Sequence, residues 1–136
     1  MSVDSPNFEG LDRWAFAARR VEKPWGYERI WALTDRYAGK ILFVRAGHAL
    51  SLQFHNEKDE SWYVLSGRAQ LELGEAGQGV LNSEVITEGV AFHFVPGTVH
   101  RVTAIEDTTI LEVSTPHLDD VVRLEDKYGR EGTSEP

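Results

Sequence analysis

From Lys40 onward the chain is a succession of short apolar runs separated by turn residues, and this rhythm limits the possible folds more than any other feature. Lys40-Ile41-Leu42-Phe43-Val44-Arg45 is rich in β-branched and aromatic residues and stops at Ala46-Gly47. Leu50-Ser51-Leu52-Gln53-Phe54-His55 alternates with period two. Ser51, Gln53 and His55 therefore share one face, and Leu50, Leu52 and Phe54 the other. Glu60-Ser61-Trp62-Tyr63-Val64-Leu65 is stopped by Ser66-Gly67, and Arg68-Ala69-Gln70-Leu71-Glu72-Leu73 by Gly74. Further strands are expected near 79–86, 91–95, 99–105 and 108–114. Strands at such regular spacing predict an all-β sandwich or small barrel.

Helical periodicity occurs in two places. Residues 12–20 carry it weakly. In residues 118–130, Leu118, Val121, Val122 and Glu125 recur at i, i+3, i+4 and i+7, Asp119 and Asp120 open the segment, and Gly129 can cap it, so a short C-terminal helix is expected. The expected organisation is a partly flexible N-terminal arm (1–20), a barrel (21–117), the C-terminal helical segment (118–130) and a flexible tail (131–136).

At 136 residues the length suits one domain. A net charge of −8 argues against nucleic acid, because phosphate-backbone binding needs a positive footprint. Any anionic ligand must be held by a local group of Arg and Lys. The absence of cysteine excludes disulfides, thiolate metal sites and a cysteine nucleophile. The first residues lack a basic and then apolar leader, and no apolar run approaches the ~20 residues that span a bilayer. A soluble cytoplasmic protein without membrane partners is expected.

Gln53, His55, Glu60 and His100 carry N or O donors able to ligate a divalent cation. Gln53 and His55 lie side by side on one strand face. Glu60 is expected to return beside His55 through a hairpin, and the Pro96-Gly97 turn to deliver His100 from a distant strand. Such donors on strands suit Zn²⁺, Mn²⁺ or Fe²⁺. Singly, each histidine is read first as a packing residue; it is the joint pattern of four donors that favours a metal.

The spacing Gly47-(five residues)-Gln53-Phe54-His55-(four residues)-Glu60-(six residues)-Gly67 resembles the first motif of the cupin superfamily, with Gln53 where most cupins have His. Gly89-(five residues)-Val95-Pro96-Gly97-Thr98-Val99-His100 resembles the second, with Val95 in place of Pro and Ala104 in place of Asn. The Gln at the first position, Lys23-Pro24-Trp25-Gly26 and the stretch from Asp119 to Arg130 are similar to the cupin portion of type II mannose-6-phosphate isomerases, over about residues 21–130. The resemblance implies a double-stranded β-helix, or jelly-roll barrel, with a short C-terminal helix. It also implies one divalent metal, zinc first and manganese or iron as alternatives, on Gln53, His55, Glu60 and His100, and a homodimer. Nothing before Val21 resembles the nucleotidyltransferase domain of the bifunctional members, so guanylyl transfer is not expected.

The implied reaction is aldose–ketose isomerisation of a sugar phosphate of the mannose 6-phosphate type. Glu112, flanked by Leu111 and Val113, is expected to point inward as a base or as a hydrogen-bonded structural carboxylate. Lys40, Arg45 and Arg101 are candidates for holding a phosphate, although alternation turns Arg101 away from the metal, and each taken singly is read first as a solvated surface charge. His93 is a possible second proton carrier, and Trp62 a barrel-filling residue. Two readings compete: an iron-dependent cupin dioxygenase built on His55, Glu60 and His100, and a non-catalytic metal- or carbohydrate-binding cupin.

Overall fold

The computed structural model describes residues 14–79 and 81–131. Residues 1–13 and 132–136, which hold most of the expected arm and tail, lie outside the described residues. The strands are β1 (Arg19–Lys23), β2 (Gly26–Leu33), β3 (Ala38–Val44), β4 (Leu52–Phe54), β5 (Glu60–Ser66), β6 (Arg68–Glu75), β7 (Asn82–Thr87), β8 (Ala91–Phe94), β9 (Thr98–Ala104), β10 (Thr108–Ser114) and β11 (Val122–Glu125). All pairings are antiparallel, in a six-stranded sheet ordered β1-β2-β3-β10-β5-β8 and a five-stranded sheet ordered β11-β4-β9-β6-β7. The chain is an all-β cupin barrel.

Period-two alternation sorts β10 and the second half of β3 between core and surface. On β10, Thr108, Ile110, Glu112 and Ser114 are buried, while Leu111 is only half-buried and Val113 is exposed. On β3 the buried set includes Lys40, Leu42 and Val44. Leu42, Val64, Leu71, Val102 and Ile110 join Trp62 and Phe94 in one apolar core between the sheets. At ~1.5–3 kcal/mol per fully buried large apolar side chain, this cluster dominates the stabilisation.

Register aligns the polar exceptions into two rows. Across the six-stranded sheet, Lys40 pairs with Glu112 and Glu112 with Trp62. Across the five-stranded sheet, Arg123 pairs with Gln53 and Gln53 with His100. Inward polar residues thus sit in the interior at one part of the barrel, where the apolar core gives way to a pocket.

Two expectations of helix are corrected. Residues 118–130 form turns and the strand β11, which pairs with β4 along the sheet edge. The helical stripe was ambiguous because burial here follows a two-residue period: Val121 and Arg123 are buried, whereas Leu124 is 47% exposed. Pairing β11 also satisfies backbone groups that β4 would otherwise leave unpaired. In the described part of 12–20, residues 15–18 are irregular and Arg19 and Arg20 open β1, which pairs residue for residue with β2. So short a segment cannot repay helix nucleation alone. Among the described residues, no helix is long and apolar enough to cross a membrane.

The expected hairpin between His55 and Glu60 is also absent. β4 and β5 belong to different sheets, and residues 55–59 cross from one to the other. His55 and Glu60 still meet, because that link closes the barrel rather than turning within a sheet.

Candidate metal centre

His55, Glu60 and His100 come together from three places: the end of β4, the start of β5 and the middle of β9. One potential ligand atom from each lies within 4.8 Å of the others, and all three residues are buried. His55 Nε2 is 2.7 Å and His100 Nε2 3.9 Å from Glu60 Oε2. Gln53 is the cross-strand partner of His100 and lines the same pocket.

Both imidazoles are oriented by backbone carbonyls. His100 Nδ1 donates to the Thr98 carbonyl at 2.9 Å, and His55 Nδ1 donates to the Asp120 carbonyl. A carbonyl can only accept, so the Nδ1 hydrogen is fixed and each Nε2 is turned toward Glu60. This second layer of hydrogen bonds is how metal-ligating histidines are generally held. His100 Nε2 has no hydrogen-bond partner in the protein despite full burial. An orphaned imidazole nitrogen aimed at a carboxylate and a second imidazole is the chemistry of a cation site.

The surroundings make the ring of His100 rigid. Phe94 stacks on it with centroids 4.6 Å apart, and Trp62 meets it edge-on at 5.4 Å. The Trp62 indole Nε1–H reaches Glu60 Oε1 at 2.7 Å and Glu112 Oε1 at 3.2 Å, tying two buried carboxylates together. The turn before β9 is tied to the first ligand segment: the Gly97 N–H donates to the His55 carbonyl at 2.8 Å, and Gly97 takes φ +88°, a conformation that glycine adopts without strain.

Electrostatics favours the protonation states that ligation needs. Burial opposes charge on Glu60, but its close contact with His55 and the Lys58 ammonium outweigh it and hold its carboxyl well below the usual range. Burial pushes His100 down, against the attraction of Glu60, so its imidazole is neutral at pH 7.

Asp120 acts on this centre twice. Its backbone carbonyl accepts from His55, and its carboxylate accepts the backbone N–H groups of Asn56, Glu57 and Lys58 at 3.0, 2.6 and 2.8 Å. The link that carries His55 toward Glu60 is thereby clamped to the C-terminal segment.

Of the other residues singled out in the sequence, Glu112 and Lys40 are buried and line the same pocket. Arg101 does not: it lies on the outer face, bonded to Glu72 at 2.8 and 3.0 Å and to Glu125 at 3.1 Å, as alternation next to an inward His100 requires. Arg45 is exposed and outside the pocket, and His93 is exposed and paired with Asp59 at 2.8 Å. Trp62 both fills the core and walls the pocket.

Sequence reasoning passed over Lys58, Glu28, Lys23, Arg123 and Ser51, which all line this pocket. Lys58, read as part of a turn, is buried with Nζ 3.1 Å from Glu112 Oε2 and 3.9 Å from Glu60 Oε2. Its position two residues before Glu60 was the available signal, since extended chain puts i and i+2 on one side. Burial lowers the Lys58 pKa, but Glu112 and Glu60 outweigh it and the net shift is upward, so the ammonium is charged at neutral pH.

Comparison with known proteins agrees with this fold. The family described as "Mannose-6-phosphate isomerase C-terminal" matches residues 12–126. The xanthan biosynthesis protein XanB of Xanthomonas campestris pv. campestris is 36% identical over 118 residues, covering 82% of this chain and 24% of that protein. The alginate biosynthesis protein AlgA of Pseudomonas aeruginosa is 32% identical over 121 residues, covering 85% of this chain and 24% of that protein. The chain thus spans about a quarter of the length of these curated relatives. Among solved structures, an oxalate decarboxylase of Bacillus subtilis with Mn(II) centres superimposes with a TM-score of 0.65 at 21% identity, covering 77% of this chain and 29% of that one. At that identity the likeness establishes the fold alone.

Proposed function

The chain belongs to the mannose-6-phosphate isomerase C-terminal family of cupins, and from that membership we propose that it is a metal-dependent aldose–ketose isomerase for a sugar phosphate of the mannose 6-phosphate type. The observation that carries this reading is one buried pocket holding both a His55–Glu60–His100 donor set and a Lys58–Glu112 ion pair. Gln53, opposite His100, is assigned as the fourth ligand. Zinc is the first choice of metal, as the resemblance implies; manganese and iron suit the same nitrogen and oxygen donors. When bound, the ion would supply Lewis-acid polarisation of the substrate carbonyl.

The chain's own residues would move the proton. Glu112 is the carboxylate that the pocket offers to take the proton from C2 and return it to C1, while a hydroxyl proton passes from O2 to O1. Atoms balance without an outside oxidant or reductant. Lys58, kept protonated, is the donor that faces negative charge building on a substrate oxygen. Arg101 takes no part in this scheme, since it sits on the outer face.

A coupled assay with mannose 6-phosphate tests the reading. Turnover by metal-replete protein, abolished in His100→Ala, is expected. If neither mannose 6-phosphate nor its ketose isomer is converted, the isomerase reading is overturned in favour of a metal- or carbohydrate-binding cupin.

A further inference from the structure

Trp62 stands between two of the pocket's buried carboxylates. It follows Glu60 by two residues on β5 and pairs across the sheet with Glu112 on β10, so register alone brings its side chain beside both. An indole offers one N–H and no acceptor. That N–H is 2.7 Å from Glu60 Oε1, the length of a charge-assisted hydrogen bond, and 3.2 Å from Glu112 Oε1. Phe94 and His100 meet the ring edge-on, with centroids 4.9 and 5.4 Å away, and Trp62 is 2% exposed. Packing therefore holds the indole where it is.

The second oxygen of Glu60 points elsewhere. Oε2 lies 2.7 Å from His55 Nε2 and 3.9 Å from His100 Nε2, and it accepts no hydrogen bond in the protein. Lys58 Nζ approaches the Oε2 atoms of both carboxylates, at 3.9 Å from Glu60 and 3.1 Å from Glu112. The two carboxylates are thus linked twice, through their Oε1 atoms by the indole and through their Oε2 atoms by the ammonium. A carboxylate whose Oε1 is taken by a fixed N–H has one oxygen left for a cation. Turning Oε1 toward the cation as well would leave the buried indole N–H with only its longer contact to Glu112.

We propose that Trp62 is a positioning residue: its N–H restricts Glu60 to metal ligation through Oε2 alone, which keeps a coordination position open for a substrate oxygen and holds Glu112 in register with that ligand. The inference rests on the metal centre of the proposed function, but neither on isomerisation nor on the choice of sugar phosphate. Metal sites that act on a substrate keep such a position open, whereas structural ones fill it with protein donors. A Trp62 that merely fills space would find a partner for its N–H without controlling how Glu60 binds.

The test is infrared difference spectroscopy, zinc-loaded minus chelated, on the full chain and on Trp62→Phe, which keeps an apolar ring and removes the N–H. The asymmetric and symmetric stretches of a carboxylate lie farther apart when one oxygen binds a metal than when both do, and Glu60 is the carboxylate of the donor set. Circular dichroism and zinc stoichiometry are the controls for fold and loading. The expected result is a widely split pair of bands in the wild type, drawn together in Trp62→Phe with one zinc still bound. A narrow splitting in the wild type overturns the inference whether or not the variant folds. An unchanged wide splitting in a folded Trp62→Phe also overturns it and leaves Trp62 a core residue. Wild-type protein that takes up no zinc overturns the metal centre, and the inference with it. The expected spectra without conversion of mannose 6-phosphate support the inference and overturn the isomerase reading alone.

Discussion

Lys58 Nζ stands 3.1 Å from Glu112 Oε2, and both side chains are almost wholly removed from solvent. They arrive from separate parts of the chain, Lys58 from the link that closes the barrel and Glu112 from the middle of β10. Removing one partner of such a pair leaves the other charged and unmatched in a poor solvent. Lys58→Met is therefore expected to cost ~3–5 kcal/mol in urea unfolding, and Lys58→Met with Glu112→Leu markedly less than the sum of the single changes. Strictly additive losses would show that the two are not coupled.

Glu112→Gln keeps the shape of the side chain and removes its basicity. The proposed proton transfer predicts a fall in kcat of ~10²-fold or more, with zinc content unchanged. A variant with nearly wild-type kcat would take Glu112 out of the chemistry and leave it a structural carboxylate.

The donor set makes stability depend on metal. At a free zinc concentration ~100 times Kd, binding to the folded state alone adds ~2.7 kcal/mol. The melting temperature of the chelated protein should rise accordingly on adding zinc, and that rise should vanish in His100→Ala. An equal rise in the variant would place zinc elsewhere.

Asp120 ties stability to pH. Burial would raise its pKa, but the N–H groups of Asn56, Glu57 and Lys58 and the charge of His55 prevail, so the folded value is lowered. A lowered carboxyl pKa stabilises the fold at pH values above the ordinary Asp value of ~3.9 and loses that contribution as pH falls through the folded value. Asp120→Ala should cost ~1–2 kcal/mol at pH 7, with the gap from wild type closing below about pH 4. Thermal melts across pH 3–8 read it directly; a gap that widens in acid would contradict the assignment.

Arg101 provides a negative control. It is paired with Glu72 and Glu125 at the outer surface, its pKa raised chiefly by the Glu72 hydrogen bond, and partly exposed pairs contribute ~0–1 kcal/mol. Arg101→Met should change stability by no more than that and leave kcat and KM untouched. A large kinetic effect would mean that the outer face communicates with the pocket.

The barrel was legible because its signal is local. Alternation shows which side chains share a face, and Glu112, read as inward, is buried; around Leu50 to His55 it does not sort inside from outside, since Ser51 and His55 are buried but so are Leu50 and Leu52 of the other face. The convergence of His55, Glu60 and His100 followed from motif spacing, although the expected hairpin was the wrong cause: sheet membership is decided by long-range pairing that no window reveals. The segment after Leu118 misled for the same reason. Its apolar spacing fits a helix or a strand, and the edge of β4 decides between them. Lys23 and Lys40 lie on β1 and β3, the two neighbours of β2, where nothing local marks them as buried, since only the fold brings Glu28 between them.

The clamp at Asp120 changes where the unit should be cut when its parts are moved between proteins. The carbonyl that fixes the tautomer of His55, the carboxylate that holds the following link, and Arg123 in the pocket wall all lie after residue 117. A graft of the barrel ending there would keep most of its strands and lose the orientation of a ligand. The portable module runs through Arg130, whose side chain chelates Asp126 and lines the pocket, so grafts ending at residue 117 and at residue 130 should differ in metal affinity more than in folding.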